Sequence, residues 1–229
     1  MQKILCFDSS GSFLSVALAC GDQILSSHQQ VQRSHTGYLI KAIDKILVEA
    51  GININQLDAL AFGQGPGSFT GIRIAASFAH GVAAANNLKL IPVSTLATLA
   101  QTGYRKTRKQ HILAAIDAKI GEIYWAQYRI TGHTDTCVPE LIDKEQLSLP
   151  EAMKPQIVAE AGTYLAIGDG FGDSFQARTA IPETLQAMEI MEQQTPCAED
   201  MLTLAISACN AGCLSVPEQA MPVYLTRKT

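Results

Sequence analysis

Gly63-Gln64-Gly65-Pro66-Gly67-Ser68-Phe69-Thr70-Gly71-Ile72-Arg73-Ile74 is the stretch whose reading decides the fold. The apolar run Leu57 to Gly63 leads into it as a strand, and a helix of small residues from Phe69 to Asn87 leaves it. A backbone this bare approaches a ligand, or another backbone, very closely. Its amides open a helix N-terminus, where partial positive charge collects. The stretch is therefore either an anion cradle or a tight strand-to-helix turn, and both readings stand at this point. It is not a Walker A loop, because the Gly-Lys-Ser/Thr ending is absent. It is not the dinucleotide fingerprint either, because no GxGxxG opens the helix with an acidic partner further on.

Working outward, Ile4 to Asp8 reads as a buried strand that stops at an acid, and Ser9-Ser10-Gly11-Ser12 as a turn. Leu14 to Cys20 and Gln23 to Gln30 pair across the tight turn Gly21-Asp22. Thr36 to Ala50 is a helix closed by Gly51. Leu88 to Val93 is a strand, and Ser94 caps a helix that starts at Thr95. Three meandering strands followed by alternating helices and strands give a mixed sheet covered by helices, an α/β fold. Ile4-to-Asp8 with Gly11 and Leu14-Ser15-Val16-Ala17 has an echo in Leu113-Ala114-Ala115-Ile116-Asp117 with Gly121 and Ile123-Tyr124-Trp125-Ala126. The echo predicts a duplicated unit, with the polar, basic stretch Gly103 to Gln110 as linker. Further on, Tyr164 to Gly168 reads as a strand, Ala198 to Ala211 as a helix, and Pro222-Val223-Tyr224-Leu225 as extended chain. The expected domains are 1–104, joined by 213–229, and a degenerate second domain over 105–212.

The chain has 229 residues, 47% hydrophobic and 17% charged, enough for one large or two small cores. A formal net charge of −4 argues against a standalone nucleic-acid binder, which carries a basic footprint. The opening apolar run is too short for a signal peptide and meets Asp8 at once. No stretch reaches membrane-spanning length, so a cytosolic protein is expected. The six cysteines form no CxxC pair and read as structural residues in a reducing compartment.

Two helices carry more apolar surface than one sheet needs. Between Phe69 and Asn87, Ile72, Ile74, Phe78 and Val82 alternate with small residues, and only Thr70, Arg73 and His80 break the apolar surround. Thr70, Ser77, Gly81 and Ala84 lie within about 60° of one another and form a groove that admits a helix at short range. On the helix from Thr36, Leu39, Ile40, Ile43, Ile46 and Leu47 span roughly 160°. The expectation is an intermolecular interface built from Leu39, Ile43, Ile46, Leu47, Thr70, Arg73, Ile74, Ser77, Phe78 and Gly81, the alternative being that the second domain of the same chain covers them. His35 lacks a second histidine one turn on and reads as structural. Arg105-Lys106-Thr107-Arg108-Lys109 is either a solvated linker or, through Arg105, Lys106, Arg108 and Lys109, a phosphate-backbone contact within a larger assembly.

The element order resembles the ribonuclease-H-like unit of the actin, sugar-kinase and heat-shock-ATPase superfamily, in which duplicated units hold nucleotide between them. By that resemblance, Asp8, Ser9, Ser10, Gly65, Gly67 and Ser68 are candidates for a nucleotide or phosphate loop; the bland alternative for Asp8 is an Asx-type turn. At motif level the chain resembles the TsaB (YeaZ) family over nearly its whole length. The resemblance is carried by Ile4-to-Asp8, Arg33-Ser34-His35-Thr36, Gly65-to-Arg73, Val93-Ser94-Thr95-Leu96, Ala114-to-Ala118 with Gly121-to-Tyr124, Ala198-Glu199-Asp200-Met201 and Pro222-to-Leu225.

That family pairs with its paralogue TsaD, and the ATPase TsaE joins them. Together they move threonylcarbamoyl to N6 of the adenosine beside the anticodon in tRNAs that read codons starting with A. The resemblance implies a non-catalytic dimerisation subunit, with homodimers in isolation, tRNA met through the complex, and ATP or ADP and metal in the partner subunits. TsaD holds metal partly on a His-x-x-x-His pair. Thr95 and Leu99 stand at the matching positions here, so no metal of its own is expected. The rivals are an independent nucleotide phosphotransferase or ATPase, and a glycoprotease-type metallopeptidase.

Overall fold

Alternation along the pleat builds the first sheet. The computed structural model describes residues 2–31, 35–132, 137–156, 161–172 and 188–226. Arg33 and Ser34, quoted above with the family motifs, lie outside the described residues, as do residues 227–229 of the expected first domain. Strands β1 (Lys3–Asp8), β2 (Phe13–Cys20), β3 (Gln23–Gln30), β4 (Ala59–Gly65) and β5 (Lys89–Ser94) form a five-stranded sheet in the order β3-β2-β1-β4-β5. β1 runs antiparallel to β2 and parallel to β4. One face carries the large side chains Leu5, Phe7, Leu14, Val16, Leu18, Leu60, Phe62 and Leu90. Helices α1 (His35–Glu49) and α2 (Phe69–Asn86) cover that face. The opposite face is small, with Cys6, Ala17, Ala19, Ala59 and Ala61. A small face lets a helix lie close, and there Ala198, Met201, Leu202 and Ala205 pack.

A second sheet joins β6 (His111–Asp117), β7 (Ile123–Thr131), β8 (Val138–Leu141), β10 (Tyr164–Ile167) and β11 (Glu189–Met191) in the order β11-β10-β6-β7-β8, with β9 (Gln146–Ser148) paired to β7. Its central pairings repeat the senses of the first: β6 is antiparallel to β7 and parallel to β10, and β10 is parallel to β11. The duplicated ribonuclease-H-like architecture expected from the sequence is thus present, with mixed sheets and flanking helices. The core of the second sheet gathers Leu113, Ala115, Ile123, Trp125, Tyr164, Ala166 and Phe171.

The chain divides into two compact units, 1–98 with 196–223, and 99–195 with 224–229. Two expectations change in consequence. The helix α4 (Ala198–Asn210), placed by the sequence reading in the second domain, lies on the first sheet, because its apolar residues match the small face there. The stretch from Gly103 is not a free linker. Helix α3 (Thr95–Thr107) runs through it, and Gly103 is buried where a Cβ would stand 2.7 Å from Leu165 Cδ2. A residue distant in sequence caps α4: Ser15 Oγ, on β2, accepts from Ala198 N at 2.8 Å.

Candidate functional site

The inner face of α1 is spent on its own sheet. Leu39, Ile43, Ile46 and Leu47, expected at an intermolecular interface, are buried in the core of the first unit. The reason is register: these side chains turn into the core of the first unit, where α1 lies against β2, so only the edges of Ile43 and Leu47 reach the outer groove. What α1 leaves outside is Tyr38, Ile40 and Val48, of which Val48 is 73% exposed. Ile40 was within the apolar arc read from the sequence. Val48 was missed, although the i, i+4, i+8 spacing 40, 44, 48 placed it on the same stripe.

Helix α2 presents Phe69, Thr70, Arg73, Ser77 and Gly81 outward, with Ile74 and Phe78 half-buried. Phe78 meets Phe7 of β1 edge-on, ring centroids 5.4 Å apart, and so fixes the helix to the sheet. On either side of Phe78 an open groove runs along α1 and α2. One, of 510 Å³, is lined by Thr36, Phe69, Thr70, Arg73, Ile74 and Ser77. The other, of 590 Å³, runs past Ile40, Asp44, Leu47, Val48, Ile54 and Val82. The Arg73 guanidinium lies over the Phe69 ring at 3.7 Å, which holds that aromatic side chain at the groove wall.

Gly81 is the informative residue of this face. It sits in the middle of an 18-residue helix, exposed, with nothing within 4 Å of where a Cβ would be. A mid-helix glycine costs about 1 kcal/mol relative to alanine, and no neighbour in the first unit requires one there. Within the first unit, α4 covers the other side of the sheet, and the segment 215–223 meets α2 at His80, where His80 Nε2 donates to Ala220 O at 2.7 Å.

The glycine block faces inward. A Cβ at Gly63 would overlap the Asp8 carboxylate, and one at Gly71 would overlap Ser9 O. A Cβ at Gly67 would stand 2.6 Å from Ser10 O. Ser68 N donates to Ser10 O at 2.6 Å, and Ser9 Oγ donates to Gly71 O at 2.8 Å. The far end is held too: a Cβ at Gly65 would be 2.8 Å from Val223 O, and Val223 N donates to Gln64 O. Thus Asp8, Ser9, Ser10, Gly65, Gly67 and Ser68 are brought together, as a clasp in which backbone packs on backbone. Asp8, Ser9 and Ser10 are all buried. Asp8 Oδ1 accepts from Ser10 N at 2.9 Å and Ser10 Oγ at 2.7 Å, which is an Asx-type turn. Burial pushes its carboxyl above the ordinary range, against the lowering by the Ser10 and Thr95 donors. A phosphate placed here would meet that carboxyl group, and the glycines already serve the turn. A metal does not fit these residues either: Oδ1 is taken by Ser10, and among the described residues no group of three His, Cys, Asp or Glu side chains can hold an ion.

The second unit repeats the turn with a different ending. Lys119 N donates to Asp117 Oδ1 at 2.7 Å, as Ser10 N does to Asp8. Lys119 Nζ then reaches Asp117 Oδ2 at 3.0 Å and Asp169 Oδ2 at 3.7 Å. Burial raises Asp169, while the Asp117 amide and the Lys119 ammonium lower it. The remaining candidates are dispersed. Thr95 is buried at the start of α3, and Leu99 is buried within it. Lys109 is engaged within the second unit, with Glu189 at 2.8 Å and Tyr164 O at 3.1 Å. Lys106 contacts Gln194, and Arg108 lies over the Tyr104 ring at 5.3 Å. Arg105 is exposed, and His35 is half-buried at the start of α1.

Comparison with known proteins gives concordant results. The family model described as TsaD, tRNA N6-adenosine threonylcarbamoyltransferase, matches residues 23–219. The chain is 34% identical over 225 residues to the tRNA threonylcarbamoyladenosine biosynthesis protein TsaB of Escherichia coli K12, covering 98% of this chain and 94% of that protein. It is 41% identical over 124 residues to TsaB of Haemophilus influenzae, covering 54% of this chain and 52% of that one. Among solved structures, YeaZ from Pseudomonas aeruginosa superposes with a TM-score of 0.85 at 33% identity, covering 98% of this chain and all of that one. A second Pseudomonas aeruginosa structure, described as an uncharacterized protein similar to peptidase YeaZ, gives 0.86 at 33% identity over 99% of this chain and 100% of that one.

Proposed function

The chain belongs to the TsaB (YeaZ) family of tRNA threonylcarbamoyladenosine biosynthesis proteins, and on that premise we propose that it is the non-catalytic subunit that binds and supports TsaD in threonylcarbamoyl transfer to tRNA. The open face of α1 and α2 carries the reading. Tyr38, Ile40, Val48 and Phe69 supply apolar area around its two grooves. Thr70, Ser77 and Gly81 let a partner helix approach closely. The family model that matches this chain is described as TsaD, which supports an equivalent pair of helices on that partner, and the two chains would then meet as a four-helix bundle. The same face serves a second copy of this chain when TsaD is absent. TsaE joins the assembled pair, and ATP or ADP and the catalytic metal belong to the partner subunits. Arg105, Lys106 and Arg108 are the residues through which this chain would touch tRNA phosphate within the complex. An independent phosphotransferase is disfavoured, because the glycine block is occupied by the Asp8–Ser10 turn.

The test is Gly81→Trp. Nothing lies within 4 Å of the Gly81 Cβ position, so the chain keeps its fold, read by its circular dichroism spectrum, while losing its pairing. Pull-down of TsaD and modification of tRNA by the reconstituted mixture should both fall at least tenfold. Capture of TsaD at the wild-type level would sink this assignment of the face.

A further inference from the structure

The outer strands of the two sheets are not treated alike. An open edge offers N–H and C=O groups to any passing strand, and folded proteins blunt it with charge, proline, short length or a cover. β5 carries Lys89 and Pro92, and Ser215 bridges it at Leu90. β8 is four residues long, with Pro139 and Glu140, and β11 is three, with Glu189 held by Lys109. β3 ends the first sheet without any of these devices. Its eight residues, Gln-Ile-Leu-Ser-Ser-His-Gln-Gln, include no acid, lysine, arginine or proline. They pair with β2 without a bulge and are mostly exposed, Ile24 to 55%.

The turn before β3 decides which backbone groups face outward. Gly21, at φ 67°, and Asp22 join Cys20 to Gln23 as a two-residue hairpin loop. The turn bond from Gln23 N–H to Cys20 C=O makes that pair a hydrogen-bonded one. Alternation along the antiparallel ladder then gives Leu25, Ser27 and Gln29 to β2 as well. Ile24, Ser26, His28 and Gln30 turn their backbone groups the other way. A second β3 matches all four at once. About a twofold axis at Ser27, Ser26 meets His28 of the second copy, and Ile24 meets its Gln30. These residues share one face of the sheet. On that face Ser26 Oγ donates to Glu199 Oε2 at 3.2 Å, so the second copy's His28 arrives beside an acid, once on each side of the axis.

We propose that the edge of β3 seats a second copy of this chain, the two β3 strands pairing antiparallel so that the first sheets of both copies run on as one. The pairing closes at two, because β3 is the one long, uncharged edge among the described residues. It uses no residue of the open α1–α2 face and is independent of TsaD docking there. A contact between two edge strands belongs to the small, transient class.

The experiment uses the full chain carrying Gly81→Trp, which keeps the α1–α2 face from pairing, in sedimentation equilibrium from about 1 μM to about 1 mM. A reversible dimer is expected, with the amides of residues 24, 26, 28 and 30 gaining protection from hydrogen exchange as concentration rises. Ser26→Pro removes one outward N–H and leaves the ladder to β2 in place, since proline is tolerated on the solvent side of an edge strand. It should weaken the dimer by about tenfold or more. Should that variant fail to fold, Ile24→Lys puts a charge on the edge at an exposed side chain and should do the same. A chain that stays monomeric throughout, or a dimer indifferent to both substitutions, overturns the proposal. Protection that appears on α1 and α2 in place of β3 overturns it too, and shows in addition that Gly81→Trp has not closed that face.

Discussion

Gly71→Ala and Gly81→Ala place the same methyl group on the same helix, and the structure assigns them opposite signs. At Gly71 the new Cβ overlaps Ser9 O and stands 3.2 Å from Ser10 Cα. These are backbone atoms, pinned by the Ser68 N to Ser10 O and Ser9 Oγ to Gly71 O hydrogen bonds, so nothing flexible can yield. Overpacking of this kind costs roughly 1–3 kcal/mol. Weakening the Ser9 bond adds about 1 kcal/mol. Better helix propensity returns up to about 1 kcal/mol. The net is a loss of about 2 kcal/mol, or a fall in melting temperature of about 4–8 °C for a chain of this size. At Gly81 the Cβ meets nothing, and only the propensity gain of up to about 1 kcal/mol remains, a rise of about 2–4 °C. Thermal unfolding followed by far-ultraviolet circular dichroism, on the chain diluted until it is monomeric, reads both. An alanine at 71 that melts with the wild type would refute the clasp, and an alanine at 81 that melts lower would refute the open face.

Ser15→Ala removes the distant cap of α4 and should cost about 0.5–2 kcal/mol, measured by urea unfolding, with α4 amides exchanging hydrogen faster. Burial lowers Lys119, but its hydrogen bond to Asp117 and the charges of Asp169 and Asp117 outweigh that and raise it. Its contribution is therefore whole below the unfolded lysine value of about 10.4 and is lost as pH rises through the folded one. Lys119→Met should remove that alkaline limb from a stability-against-pH curve; a curve that keeps it would assign the limb to another group.

The strands of the first unit were legible because alternation is local. Gly21-Asp22 between two runs fixed the β2–β3 hairpin, and Leu60 and Phe62 among alanines fixed β4. The echo around Asp117 was enough to find the second unit's first hairpin. β8, β9 and β11 were not legible, since strands of three or four residues carry too little pattern. In the candidate site, the surplus of apolar residues on α1 could be counted, but not which of them the sheet would take. Leu39 and Ile40 are neighbours in sequence, and only the packing separates core from face. The glycines show the same limit. Gly71 is demanded by a turn some sixty residues earlier and Gly81 by nothing in its own unit, yet on paper they are alike.

The lodging of α4 on the small face of the first sheet has a bearing on synthesis. Ile4, Cys6, Ala17, Ala59 and Ala61 leave the ribosome with the first strands, but their cover is translated only after the whole second unit. At about 5–20 residues per second, roughly a hundred intervening residues leave that greasy flank bare for some 5–20 seconds. The nascent chain cannot finish its first half early, and for that interval it is a natural client for a holding chaperone.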